Sequence, residues 1–356
     1  MISTSEPYVR TSRSGASTAS PTGASVRAID LCCGLGGLSL AAKQIGWKVV
    51  AGLDRNPTAL KTFRRNFPET EAIEGSVRSP IAIRRCQELL ESNEGRKSSS
   101  VILSGPPCQG FSAAGSRDPK DPRNKVLVAV ARAIAALQPR CAIIENVSML
   151  LAEKHGTRLD TFEQVLADGG YHVVRVLLDA SEFGVCQKRR RAFFFVTRVE
   201  LDAENILERL KIHTVPAKGA KEAFRGLPPP PVRPDDYDDE KLYLGIMNHM
   251  AMSHSQSVKE KIAAIAPGKG PMSYRRLHPT RPSNTLFSGH RAPPAHFSQP
   301  RSITVREAAR LQGFPDDFRI FGAFSNQMEQ VTNAVPPPLA RAVLTVLTDL
   351  MKLPSR

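Results

Sequence analysis

The stretch Ala28-Ile-Asp-Leu31, running into Cys32-Cys-Gly-Leu-Gly-Gly37 and then Leu38-Ser-Leu-Ala-Ala-Lys-Gln-Ile45, leaves this chain few folds to choose from. A short apolar run reads as a strand, the glycines as a turn, and the spacing over 38–45, stopped by Gly46, as a helix. Such a turn lets a ligand approach the backbone and aims a helix N-terminus at its anionic end. One G-x-G-G is weak evidence, so the weight comes from repetition. A second strand over 49–53 ends in Asp54, roughly twenty residues past the glycines, where an acidic residue meets ribose hydroxyls in nucleoside-binding α/β folds. Asp54 fits equally as the N-cap of a helix over 57–66. A third unit follows around 72–77, with a helix near 81–90 and a polar loop to 100. Strands alternating with helices predict a parallel sheet covered on both faces.

The next strand, Val101-Ile-Leu103, is cut short by Gly105-Pro-Pro107, because proline fixes φ and supplies no N–H for further pairing. Cys108 therefore sits on a stiff loop at a strand's carboxyl end, the edge where open α/β sheets bind ligands. A lone cysteine there is more often a small structural residue than a nucleophile, so its partners decide. After a charged loop over 115–124 come a helix over 125–137 and a strand over 141–144 that ends in Glu145-Asn-Val147. Parallel strands end on one edge, so Glu145 projects into the same cleft as Cys108, either as a general acid or base or as a cap of the following turn. A helix near 159–166 and a strand over 171–178 lead to Gln187-Lys-Arg-Arg-Arg191 and then Ala192-Phe-Phe-Phe-Val196. At strand period, Gln187, Arg189 and Arg191 share a face. A basic triplet is usually solvated, but this one opens into a buried strand, so its arginines are expected to meet an anion or a polarised carbonyl.

Lys plus Arg number 49 against 34 for Asp plus Glu, a net charge of +15 that favours a polyanionic partner, although a basic surface also serves solubility. No apolar run reaches the ~18–20 residues of a membrane span. The six cysteines are scattered, without C-x-x-C pairs, which argues against a zinc site or a disulfide framework and for reduced thiols in a cytosolic protein. Residues 1–26 are rich in Ser, Thr, Gly and Ala and read as a disordered tail. Composition shifts at about residue 200, where a tetraproline (228–231) and an acidic run (235–240) suggest a small, irregular second domain. Regular patterning returns at 303–312, and Asn333-Ala-Val-Pro-Pro-Pro338 precedes a helix over 339–351 whose apolar stripe must dock on the first domain.

In this order, Asp30-Leu-x-x-Gly34-x-Gly-Gly, Gly105-Pro-Pro-Cys-Gln-Gly-Phe-Ser112, Glu145-Asn-Val147, Gln187-x-Arg189-x-Arg191, Arg306-Glu-x-Ala-Arg-Leu-Gln-Gly-Phe-Pro315 and Asn333-Ala-Val-Pro-Pro337 resemble the bacterial DNA cytosine-5 methyltransferase family over about 28–197 and 274–348. The resemblance implies a Rossmann-like, mostly parallel α/β sheet that binds S-adenosylmethionine, with a smaller target-recognition domain. It divides the chain into the tail, a cofactor-binding and catalytic domain (27–199), a target-recognition region (200–275), the remainder of the small domain and a return segment (276–325), and a C-terminal helix (326–356) completing the catalytic domain. It implies that Asp30, Cys32, Gly34, Gly36, Gly37, Leu38, Asp54, Arg55, Pro106, Asn333 and Val335 hold S-adenosylmethionine. Cys108 would add to carbon 6 of a cytosine flipped out of double-stranded DNA, Glu145 would hold ring nitrogen 3 and the amine, and Arg189 would meet the ring oxygen with Arg191 in support. Pro107, Gln109, Gly110, Ser112, Asn146 and Gln187 would contact the substrate. No metal is implied. The expected setting is bacterial and cytoplasmic, nucleoid-associated on DNA, as a monomer that works alone or beside a restriction endonuclease without a stable complex.

Four departures from the family pattern bear on the cofactor side: Cys32-Cys33 where an aromatic is common, Gly75-Ser76-Val77 where an Asp is common, Cys186 for a Pro and Thr332 for a Gly. Two other readings remain, a tRNA methyltransferase of the same chemistry and an inactive DNA-binding relative. Gly110-Phe111-Ser112 speaks against the first, and Cys108, Glu145 and both arginines speak against the second.

Overall fold

The computed structural model describes residues 25–91, 99–107, 125–152, 156–233, 246–271, 274–287 and 293–354. Cys108, Gln109, Gly110 and Ser112 lie outside the described residues, as do tail residues 1–24. Val26, assigned to the tail, is a core residue at 1% exposure.

Seven strands form one sheet in the order β3-β2-β1-β4-β5-β7-β6. They are β1 (Arg27–Leu31), β2 (Lys48–Asp54), β3 (Glu71–Glu74), β4 (Ser100–Ser104), β5 (Cys141–Val147), β6 (His172–Asp179) and β7 (Arg190–Thr197). The first five are parallel, and β7 runs antiparallel to both β5 and β6. The helices are α1 (Gly37–Gln44), α2 (Pro57–Asn66), α3 (Pro80–Glu91), α4 (Val126–Leu137), α5 (Gly156–Asp168), α6 (Ala203–Lys211), α7 (Ala220–Ala223), α8 (Gln256–Ala263), α9 (Val305–Leu311), α10 (Phe324–Asn333) and α11 (Pro337–Met351).

The period of two along each strand splits the apolar side chains between two cores. Val101, Leu103, Ile143, Phe193 and Phe195 face α1 and α11, whereas Ile102, Ile144, Phe194 and Val196 face α4 and α5. The docking expected of the last helix is met, since Leu339, Val343, Leu344 and Leu347 of α11 are fully buried in the first core. Helix α11 begins at Pro337 rather than 339, as proline suits the first helical turn. Helix α6, which lies past the expected boundary at 200, also joins this core through Ile206 and Leu210. It therefore belongs with the sheet's helical layer.

A third core packs Leu60, Phe63 and Phe67 of α2 and its C-terminal end against Val305, Ala308, Phe314, Phe318 and Val331. Two asparagine amides reinforce it by pairing with backbone as a strand would. Asn66 donates to Arg319 O (2.7 Å) and accepts from Arg319 N (2.9 Å), while Asn248 does the same for Ile320 at 2.7 and 3.1 Å. The segment over 319–320 is thus held by α2 on one side and by the 246–251 segment on the other. Arg306, fully buried, donates to the carbonyls of Met247 (3.0 Å), Pro315 (2.7 Å) and Phe318 (2.5 Å).

Candidate active site

Register aligns the residues that matter. Leu31 pairs with Leu53 and with Ser104, and Ser104 with Ile144. One residue further along each strand stand Asp54, Cys32, Gly105 and Glu145, side by side at the carboxyl edge. The strand order reverses between β1 and β4, so the edge opens there into a crevice, as open α/β sheets generally do. The resulting cleft encloses about 1060 Å³, and Asp30, Asp54, Pro106, Glu145, Arg191 and Asn333 are among its walls. That volume lies at the upper end of small-ligand pockets.

On the β1 side, the turn takes three positive φ angles, at Cys32 (62°), Gly34 (54°) and Gly36 (100°). Gly37, the first residue of α1, packs so closely that a Cβ there would stand 2.2 Å from Val335 O. Cys32, Gly34, Gly37, Leu38, Asp54, Arg55, Pro106 and Val335 line the cleft. Gly36 does not line it. Its role is conformational, with Phe67 and Phe63 packed against it. Asp54 is not a helix cap either: Asn56 caps α2, accepting from Thr58 and Ala59. The Asp54 carboxylate instead ties the turn, accepting from Gly34 N and Asn56 N, both at 2.9 Å.

Asp30 is fully buried in the cleft wall. Ser39 Oγ donates to its Oδ2 at 2.7 Å, and Oδ1 has no hydrogen-bond partner among the described residues. Burial, opposed by the Ser39 hydrogen bond and aided by the Asp54 charge, raises its pKa to about 7. Burial likewise raises the thiols of Cys32 and Cys33, so neither acts as a thiolate.

On the β5 side, Arg191 Nε lies 2.8 Å from Glu145 Oε1, and the two side chains are only 12% and 8% exposed. Glu145 faces Phe193 in the ladder, which puts Arg191, two residues back along antiparallel β7, diagonally across from it on the same face. Glu145 does not cap the following turn, whose N-cap is Val147. Asn146 ties the Pro-Pro loop to β5 by donating to Pro106 O at 3.3 Å. The basic triplet meets both expected partners, divided differently. Arg191 takes the anion. Arg189, 2% exposed, donates to Ala334 O at 3.0 Å, and burial together with the Arg191 charge depresses its pKa. Gln187, expected at the substrate, is fully buried and absent from the cleft wall; its Oε1 accepts from Leu286 N at 3.0 Å, so it fixes a neighbouring segment instead.

Two further sets of residues line the cleft without having stood out in the sequence. Asn326, Glu329 and Gln330 share with Asn333 one face of α10 and line the cleft. Asn284, Thr285, Leu286 and Phe287 line it from a segment stitched along the 186–188 backbone. The spacing i, i+3, i+4, i+7 over 326–333 was a helical signal; the second set carries no local one. Ser76 and Thr332, two departures from the family pattern, also line the cleft, while Cys186 does not and uses its carbonyl to accept from Ser283 N at 3.0 Å.

A family model described as C-5 cytosine-specific DNA methylase matches residues 26–349. The chain is 33% identical to the Type II methyltransferase M1.HphI of Haemophilus parahaemolyticus over 88% of its own length and 84% of the relative's. It is 31% identical to M.XorII of Xanthomonas oryzae pv. oryzae, over 88% and 82%. A crystal structure of a DNA modification methyltransferase encoded within an E. coli prophage superposes with a TM-score of 0.74 at 26% identity, covering 92% of this chain and all of that one. Matched by that model over residues 26–349 and a third identical to a Type II methyltransferase across most of both chains, this chain belongs to the C-5 cytosine-specific DNA methylase family.

Proposed function

We propose that this DNA cytosine-5 methyltransferase takes its methyl group from S-adenosylmethionine and acts on a cytosine extruded from the duplex, with Cys108 as nucleophile. The observation that carries the reading is the buried Glu145–Arg191 pair at the end of β5, beside the Pro106-Pro107 loop that leads directly into Cys108. The residues of the β1 side fit the cofactor: Asp30 holds a buried carboxylate oxygen with no partner among the described residues, suited to an ammonium group, and Asp54 lines the cleft with a carboxylate suited to ribose hydroxyls. Bound there, S-adenosylmethionine supplies an electrophilic methyl on a sulfonium.

Carbon 5 of cytosine is a weak nucleophile. Addition of the Cys108 thiolate to carbon 6 forms a C–S bond and pushes the ring's electron pair to carbon 5, with negative charge relayed to nitrogen 3. Glu145 hydrogen-bonds nitrogen 3 and the exocyclic amine, stabilising that charge shift as a general acid. Arg191, rather than Arg189, faces the ring oxygen, because it is the one paired with Glu145, whereas Arg189 is turned to Ala334 O. Arg189 acts at one remove, through Ala334, on the Asn333 and Val335 segment of the cofactor side. Once carbon 5 carries the methyl group, its proton leaves to water and elimination expels the thiolate. Extrusion of the base costs a few kcal/mol, offset by contacts to the grooves and phosphates. Those groove contacts come from the region beyond α6 up to 275, and the enzyme works as a monomer; the Type II names of its relatives support a role in protecting sites from a separate nuclease.

Bisulfite sequencing of plasmid DNA from cells expressing the protein, with a Cys108→Ala control, tests the reading. Cytosines protected only by the active protein support it and reveal the recognised site. Soluble wild-type protein with no protected cytosine refutes it.

A further inference from the structure

The pentapeptide Gln187-Lys-Arg-Arg-Arg191 has a second face. Gln187 and Arg189 are buried and Arg191 turns to Glu145, whereas Lys188 and Arg190 are exposed and line the mouth of the same cleft. Their backbone is held on both sides. Lys188 N donates to Ser283 O at 2.8 Å and Lys188 O accepts from Thr285 Oγ1 at 2.8 Å, while Arg190 pairs with Asp179 in the β6–β7 ladder. The acidic group closest in register is occupied: Asp179 Oδ1 accepts from Ser181 N, Ser181 Oγ and Arg189 N at 3.0, 2.8 and 3.1 Å. Among the described residues no ion pair engages Lys188 or Arg190.

Lys188 lies two residues before Arg190, the first residue of β7, and extended backbone spaces such Cα atoms ~6.6 Å apart. The two cations sit on a stiff rim above the site where a base must enter, and their chain has a net charge of +15. We propose that Lys188 and Arg190 clamp the phosphates on either side of the extruded nucleotide, so that one short segment meets the base through Arg191 and grips the DNA backbone through Lys188 and Arg190. The inference rests on the DNA reading above and adds to it the residues that hold the flanking phosphates. Phosphate contacts position a duplex without reading its sequence, so these two residues contribute affinity and register rather than recognition.

The test measures the affinity of the full-length protein, with S-adenosylhomocysteine present, for a duplex carrying the methylated site found by bisulfite sequencing, over a range of KCl concentrations. Each phosphate contact contributes a slope of about −0.9 to log K against log salt. Lys188→Gln and Arg190→Gln should each make the slope shallower by about one and the double variant by about two, with S-adenosylhomocysteine affinity unchanged within about twofold. Lys48→Gln, at the amino edge of the sheet, should leave the slope unaltered. A duplex with an uncharged methylphosphonate beside the target cytosine should weaken wild-type binding but be insensitive to one of the two substitutions. Slopes equal to wild type in both variants, or a methylphosphonate penalty that persists undiminished in each, would overturn the clamp. A wild-type protein with no salt-dependent duplex binding would instead overturn the DNA reading itself and the clamp with it.

Discussion

Arg191 Nε stands 2.8 Å from Glu145 Oε1, although the two residues come from strands on opposite sides of α5 in the chain. Removing one member of a buried pair leaves the other charge uncompensated, at a cost of about 3–5 kcal/mol. Arg191→Met should therefore lower the single-turnover methylation rate at least about 100-fold while S-adenosylhomocysteine affinity, measured by calorimetry, stays within about threefold. Arg189→Met should behave in the opposite way. It frees Ala334 O beside Asn333 and Val335, so the KM for S-adenosylmethionine should rise more than kcat falls.

Asp30 makes stability depend on pH. Its folded pKa of about 7 lies above the ordinary carboxylate value of 3.8, so the folded state holds a proton that the unfolded chain releases. This group leaves stability intact below about pH 4 and erodes it as pH rises from about 4 to about 7, by up to about 1.4 kcal/mol per unit. In thermal melts of the ligand-free protein, Asp30→Asn should flatten the decline over that window. An unchanged profile would show that Asp30 stays ionised in the fold.

The glycines of the first turn should separate by mechanism. Gly37→Ala places a methyl 2.2 Å from the Val335 carbonyl, where only backbone can yield, and should cost about 2–3 kcal/mol by pushing α1 from α11. Gly34→Ala meets no atom within 4 Å and is strained only by its φ of 54°, so about 1 kcal/mol is expected. Denaturant melts of the two variants would rank them.

Arg306→Met deletes three hydrogen bonds to buried carbonyls and leaves those oxygens orphaned, at about 3 kcal/mol or more. Asn66→Ala removes two bonds to Arg319 at the edge of the same core and should cost about 1–2 kcal/mol. Equilibrium unfolding monitored by circular dichroism gives both values.

Several elements are legible in the sequence because their signals are local. The Gly-rich turn, the strand-ending prolines at 106 and 107 and the period-two split of Gln187, Arg189 and Arg191 each depend on neighbours a few residues away. Helix α6 falls where a composition change reads as a domain boundary, and the single helix expected over 326–356 is two, α10 and α11, interrupted at Ala334-Val-Pro336. Asp54 has two local readings, and the fold sets aside the helix cap, since Asn56 caps α2 while the β1–β2 register brings the amide of Gly34 to the Asp54 carboxylate.

By itself the sequence determined the strand–helix alternation, the family motifs and which side chains of each strand lie on a common face, because backbone periodicity and proline or glycine stereochemistry act over a few residues. Tertiary structure decided which arginine meets Glu145, that Gln187 holds Leu286 rather than a substrate, and that Lys188 and Arg190 end at the rim of the cleft. Those outcomes depend on β7 entering the sheet antiparallel between β5 and β6, a pairing between distant segments chosen by the burial of both faces of Ala192-Phe-Phe-Phe-Val196 and not by any local pattern.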